Sequence, residues 1–220
     1  MISIKRYKIA RKAERKSHIL KKDINIFDRR LSSSKNIVLP YIKQVEDNLR
    51  AGASVVDVGS GPTCLVRFFR GGRKVFLDPL MDFYKEYYKD RLPEDGEFVN
   101  SMAENMPLLN ETFDVAFCYN VLDHSFNPPK IIDEIKRVLK PGGYLLLGIY
   151  THNPMLKIAR FLAEQTWIFK EKPHPYSFTI KGLKNMLREG FLLQKIDIIK
   201  GKESVFNFKR RFYVLILKKK

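Results

Sequence analysis

The sequence predicts an α/β fold, a doubly wound and mostly parallel sheet with helices on both faces. Three observations predict it. Short apolar runs of strand length recur with room for a helix between them; one intervening segment, Pro128 to Leu139, has a clear helical period; and the first run ends in a glycine turn, Gly59-Ser60-Gly61. Continuous apolar runs are the mark of strands buried on both faces, which parallel sheets require.

The chain has 220 residues, enough for one core with terminal extensions and too few for two comfortable domains. Hydrophobic residues make up 45% and charged residues 30%, which excludes a disordered chain. Residues 1–22 alternate bases with isolated apolar positions, so they lack the apolar run of a signal peptide or membrane span. A cytoplasmic protein, or one peripheral to a membrane, is expected.

In chain order, residues 1–22 predict a basic helix with a thin apolar stripe, exposed or loosely docked. From Ser34, the spacing of Val38, Tyr41, Ile42, Val45 and Leu49 predicts a helix capped by serine and ended by Gly52. Strands are expected at Ser54 to Val58, Lys74 to Leu77, Glu97 to Val99, Phe113 to Tyr119 and Tyr144 to Ile149, and a helix after the glycine turn. Paired prolines open the helix at Pro128, and Pro141-Gly142-Gly143 follows its end. Beyond it lie a helix near 154–170, a Pro/His/Tyr-rich loop at 172–177, a helix from Thr179 to Glu189, and strands near 192–199 and 211–217, seven strands in all. Residues 1–30 are read as a basic extension and 31–220 as the domain. Within it, 151–178 is too long for a simple connection and reads either as a cap on the substrate side or as a plain structural helix.

Charge is divided unevenly. Residues 1–30 carry a net +8, residues 31–150 a net −2 and residues 151–220 a net +11. Clustered cations suit RNA, a membrane surface or a phosphorylated substrate; a lysine-rich solvated surface accounts for the same excess. The two cysteines, Cys64 and Cys118, sit in apolar stretches and read as reduced core thiols. His18, His124, His152 and His174 are scattered without ligand spacing, so no metal site is expected.

The chemistry concentrates at Val55 to Thr63. A strand running into Gly59 and Gly61 brings bare backbone to the carboxyl end of the sheet, where open α/β sheets bind ligands. A dinucleotide site would want a third glycine at 64, where this chain has Cys64. Asp57 would repel a pyrophosphate but suits an ammonium group; at ~4 Å and an effective dielectric near 20 that attraction is about 4 kcal/mol before desolvation. Asp78 closes the second strand 19 residues after Gly59, a spacing that suits a carboxylate accepting two ribose hydroxyls, with an N-cap for the next helix as the lesser alternative.

Together with the Ala103-Glu104-Asn105-Met106-Pro107 loop, Phe113-Asp114, the Leu122-Asp123-His124 turn and Val138-Leu139-Lys140-Pro141-Gly142-Gly143, these residues resemble class I S-adenosylmethionine (SAM)-dependent methyltransferases, most closely the type 11 group of small-molecule enzymes. The resemblance spans about residues 52–150. It implies a Rossmann-like, seven-stranded sheet with an antiparallel C-terminal strand, and SAM as the donor, leaving S-adenosylhomocysteine as product. It implies that Asp57, Gly59, Ser60 and Gly61 hold the methionyl part, Asp78 and Pro79 the ribose side, Met102 and Ala103 the adenine, and that Asn120 lies beside the methionyl group. Met102 departs from the family pattern, which has an acid there for the adenine amino group.

His124, at the mouth of the expected site, is read either as a base for an acceptor hydroxyl or amine or as a structural hydrogen-bonding residue. Tyr150, His152, Trp167, His174 and Tyr176 are candidates for acceptor contacts, since aromatic rings stack on sugars and flat rings. The reading is methyl transfer to oxygen, nitrogen or carbon of a small-molecule or glycan-like acceptor. An RNA methyltransferase using the basic termini, and a degenerate SAM-binding scaffold, are the alternatives. Oligomeric state is not legible in the sequence.

Overall fold

The structure is a computed structural model; it describes the backbone of residues 4–20, 24–152, 176–200 and 210–220. Two helices, α1 (Ile4–Leu20) and α2 (Ile24–Glu46), precede the sheet. There follow β1 (Val55–Val58), β2 (Lys74–Asp78), α3 (Met81–Tyr87), β3 (Glu97–Asn100), β4 (Phe113–Tyr119), α4 (Pro128–Val138), β5 (Leu139–Thr151), α5 (Ile180–Leu187), β6 (Phe191–Lys200) and β7 (Arg211–Lys219).

The strands form one seven-stranded sheet in the order β3-β2-β1-β4-β5-β7-β6. β7 runs antiparallel to both its neighbours and the remaining pairs are parallel, so the predicted Rossmann-like architecture is the observed one. Chain order reverses between β1 and β4. Crevices at such a reversal, outside the carboxyl ends of the strands, are where these sheets take ligands.

Successive strand residues face opposite sides, so the sheet has two cores. Val56, Val58, Ile131, Ile135, Leu183 and Leu187 pack on the side of α4 and α5. Val55, Val38, Ile42, Val45, Phe76 and Phe117 pack on the side of α2. By the same alternation Asp57 faces α2. α4 forms as predicted: the Asn127 side chain accepts from the Lys130 amide at 3.5 Å, prolines occupy the first turn, and Ile131, Ile132, Ile135 and Val138 are buried. Cys64 and Cys118 are free and buried, and burial pushes both thiols well above their ordinary value.

Three expectations are corrected. α2 begins at Ile24 and not at Ser34, because Phe27 and Leu31 continue the stripe of Val38, Tyr41 and Ile42 at helical spacing; burial of that stripe outweighs the capping preference of serine. Consequently residue 30 lies inside α2, and Ala10 and Phe27 are buried, so the basic N-terminal segment is packed against the domain. No α-helix follows the glycine turn. The chain makes a single 3-10 turn at Leu65–Phe68, with Cys64 at φ 46° before it and Gly71 and Gly72 soon after, and α2 covers the face that a crossover helix would cover.

The family-like segments away from the glycine turn act as ties. Glu134 on α4 accepts from the Met106 amide at 2.9 Å and binds Arg137, whose guanidinium also donates to the Met106 and Leu108 carbonyls. Asp114 accepts from Ser54 and Lys140, joining the start of β4 to β1 and β5. Replacing Glu134 by Ala strands the Met106 amide and Arg137; the expected cost is about 1–3 kcal/mol, read as a lower urea midpoint with an unchanged slope.

Candidate active site

At the carboxyl ends of β1, β2 and β4 a cavity of about 780 Å³ opens on the α2 side of the sheet. It falls within the roughly 300–1,000 Å³ of small-molecule sites. Asp57, Gly59, Ser60, Gly61, Asp78, Asn120, His124 and Tyr150 line it, so most of the residues singled out from the sequence converge on one space.

Asp57 is 2% exposed and accepts from the Val66 amide at 3.3 Å, the 3-10 turn thus forming directly over its carboxylate. Asp78 is 7% exposed; one oxygen accepts from Gly61 N at 3.0 Å and the other from Leu80 N at 2.8 Å. Each carboxylate oxygen has two lone pairs, so both acids keep acceptor capacity for a ligand. Burial raises Asp57 to about 7, with a further push from Asp78 against the opposing Val66 and Leu65 amides. Burial likewise raises Asp78 to about 6, opposed by the two amides and by Arg11. Two desolvated carboxylates on one cavity favour a cationic ligand, because its charge replaces the lost hydration.

Gly59 stands at φ +70°, and a Cβ there would lie 2.5 Å from Cγ2 of Val121, so only glycine lets β1 turn beside the β4 exit. Asn120, at the end of β4, is itself left-handed at φ 59°. Its amide donates to Gly148 O at 2.7 Å, and its side-chain Oδ1 is buried with no hydrogen-bond partner among the described residues. A buried orphan acceptor on the cavity is an offer to a ligand donor. Nε2 of His124 lies 3.4 Å from the Asn120 side-chain Nδ2 and 3.9 Å from Oδ1 of Asp123.

The remaining predicted residues divide. Pro79 lines an adjoining pocket with Arg11 and Asn100. Met102 and Ala103 follow β3 at the same rim, Ala103 buried in the core, but neither lines the cavity. His152 and Tyr176 are not among the residues lining the cavity. The His152 amide donates to Phe178 O at 2.7 Å, and Tyr176 donates its hydroxyl to Phe126 O at 2.8 Å. Trp167 and His174 lie outside the described residues, as does most of 151–178; at its described ends Thr151 pairs with Phe178, so the two ends meet beside β5.

Sequence reasoning missed the α2 contribution, Phe27, Arg29, Arg30, Ser33 and Ile37, and the strand residues Phe117, Phe212 and Lys200. The stripe from Phe27 onward could have revealed the first group; the second becomes visible only with the strand order. The helix expected at 1–22 is present as α1, but its place across the rim was not foreseen. Tyr7 packs edge-on against Phe126 at 5.6 Å, Arg11 donates to Pro79 O at 2.7 Å, and Arg15 lies 5.1 Å above the Phe83 ring.

Residues 56–147 match the family model described as "Methyltransferase domain". Thiol S-methyltransferase TMT1B of Rattus norvegicus is 28% identical over 148 residues, 63% of this chain and 60% of the rat protein. The ubiquinone/menaquinone biosynthesis C-methyltransferase UbiE of Hydrogenovibrio crunogenus is 27% identical over 173 residues, covering 65% and 67%. Several curated relatives, the rat protein among them, are matched over less than two thirds of their own length. Among solved structures, the Burkholderia thailandensis 1,6-didemethyltoxoflavin-N1-methyltransferase, holding its substrate and S-adenosylhomocysteine, superposes with a TM-score of 0.64 at 16% identity over 94% of this chain and 87% of that one.

The raised acids set a pH test on the ligand-free protein. Asp57 and Asp78 contribute stability that is complete below their unfolded values and is lost as pH rises through about 6 to 7. Asp57→Asn is therefore expected to raise the melting temperature more at pH 8 than at pH 5, measured by thermal denaturation in matched ionic strength.

Proposed function

We propose that this chain, whose residues 56–147 match the methyltransferase domain family, is a class I SAM-dependent enzyme that transfers a methyl group from SAM to oxygen, nitrogen or carbon of a small-molecule or glycan-like acceptor. The observation that carries the reading is the pair of buried carboxylates on one cavity at the β1/β4 reversal, beside a glycine turn whose first position, Gly59, has no room for a side chain. Relatives named for sulfur and carbon transfer leave the acceptor atom open.

SAM, when bound, supplies a methyl group already activated on a cationic sulfur. The chain's task is then to hold and orient, and positioning of reacting groups supplies ~7–11 kcal/mol of a barrier. We assign Asp57, Gly59, Ser60 and Gly61 to the methionyl end, with the Asn120 Oδ1 as an acceptor for its ammonium. Asp78 takes the ribose hydroxyls while its two backbone bonds keep it in place, and Pro79, Met102 and Ala103 form the purine side. Met102 offers no acceptor for the adenine amino group, which forgoes one hydrogen bond worth about 1 kcal/mol. His124, on the cavity four residues beyond Asn120, is assigned to the acceptor's proton.

The basic ends are partly engaged within the molecule. Arg11 and Arg15 are held as above, Lys219 donates to Leu139 O at 2.6 Å, and Lys218 lies 5.6 Å over the Tyr144 ring. These contacts favour a packing role over an RNA or membrane partner. No helix among the described residues is long and apolar enough to cross a membrane.

Isothermal titration tests the reading: SAM and S-adenosylhomocysteine should bind, and silence at millimolar ligand would sink it. SAM affinity is expected to rise between pH 5.5 and 8 as the two acids ionise. Asp78→Asn should weaken SAM roughly 10- to 100-fold, the value of a charge-assisted hydrogen bond, without unfolding the protein by circular dichroism. His124→Gln should lower kcat about 100-fold and leave the KM for SAM unchanged; an unchanged kcat would return His124 to a structural role.

A further inference from the structure

The cavity has two electrically different sides. Asp57 and Asp78 stand at β1 and β2, whereas Lys200 ends β6 and Arg30 lies on α2. β6 is four strand spacings from β1, roughly 19 Å along the sheet, so Lys200 addresses a part of the cavity remote from the glycine turn. Among the described residues neither Arg30 nor Lys200 is ion-paired, although carboxylates are close in sequence: Asp197 binds Lys195 and Tyr41, and Asp28 binds Arg91. Two cations from distant parts of the chain thus meet one cavity without a counter-ion among the described residues.

Between them and the glycine turn the wall is aromatic. Tyr150, Phe212 and Lys200 are a single cross-strand row over β5, β7 and β6. The Phe212 ring lies 4.7 Å from that of Tyr150 and 5.1 Å from that of Tyr119. Tyr119 is paired with Gly148, and a Cβ at 148 would come within 2.4 Å of the Tyr119 ring; the missing side chain is what lets the ring lie down on the sheet. Arg210 covers the Tyr150 ring at 5.2 Å, adding a third cation to this end.

Resting on the methyl-transfer reading, we propose that the acceptor is a planar aromatic anion, its ring lying against Tyr119, Tyr150 and Phe212 and its negative group met by Arg30 and Lys200. Flat rings gain most from offset and edge contacts with other rings. A carboxylate or phosphate near unpaired guanidinium and ammonium groups gains charge-assisted hydrogen bonds that a neutral isostere lacks. A cationic acceptor would face repulsion at the same place, so the arrangement selects by charge as well as by shape. The acids at the other end keep the anion from settling in the donor half.

The test uses the full chain, with and without saturating S-adenosylhomocysteine, and four probes titrated by ligand-observed NMR: 4-hydroxybenzoate, the neutral 4-hydroxybenzamide, the cationic tyramine and methyl glucoside. The benzoate is expected to bind at least tenfold more tightly than each of the others. Arg30→Gln and Lys200→Gln should each remove several-fold of that preference, and Tyr150→Leu should weaken benzoate and benzamide alike. Both basic side chains are exposed, so these variants are expected to fold. Equal binding of benzoate and benzamide, or glucoside binding as well as benzoate, overturns the proposal. So does a tenfold loss of S-adenosylhomocysteine affinity in Arg30→Gln, which would mean that the arginine serves the donor's own carboxylate. An anion preference without S-adenosylhomocysteine binding faults the donor reading alone; S-adenosylhomocysteine binding without an anion preference faults this one alone.

Discussion

Asp78 holds the rim together through its two backbone hydrogen bonds, one to the glycine turn after β1 and one to the turn that opens α3. Taken out of water, a carboxylate needs such donors to remain ionised at all, and these two do not fully offset its burial. Asp57 is in the same condition under the 3-10 turn. The fold therefore maintains, at the reversal between β1 and β4, two acceptors whose electrostatic needs are met only in part from within. Everything assigned to the donor half follows from that deficit.

Strand positions, the glycine turn and α4 were legible because their signals are local: continuous apolar runs, glycine where the backbone must be bare, and paired prolines before a periodic segment. Asp57 and Asp78 were legible for the same reason, since a carboxylate at a strand end next to glycines is already a chemical statement. The α2 boundary was not, because Ser32, Ser33 and Ser34 offer a plausible cap that only the packing of Phe27 and Leu31 overrides. The missing crossover helix was not legible either, as the replacement of a helix by a 3-10 turn depends on α2 lying across that face. The bonds of the His152 amide to Phe178 O and of the Tyr176 hydroxyl to Phe126 O join residues distant in sequence, so they become visible only in the folded chain.

The motif residues that carry the resemblance do different work. Asp114 and Lys140 hold the strand starts together with Ser54, and Met106 of the loop after β3 is tied by Glu134 and Arg137 of α4. Glu104 accepts from the Phe126 and Asn127 amides, fastening the loop after β3 to the turn before α4. These ties fix the angles at which the strand ends present their turns, although none of them lines the cavity. The acceptor end has no comparable signature in the sequence. Its aromatic row is assembled from β4, β5 and β7, and its cations from α2 and β6, so strand order alone brings them together.

Finally, α1 touches two loops and the start of α3: a ring edge at Phe126, a hydrogen bond at Pro79 and a cation over Phe83. Each is worth only about 1 kcal/mol, so the helix is latched and not welded, with Ala10 as its buried foothold. Because the latch spans loops from both sides of the β1/β4 reversal, unfastening it loosens both together. Such a helix can open locally at far lower cost than unfolding the sheet beneath it.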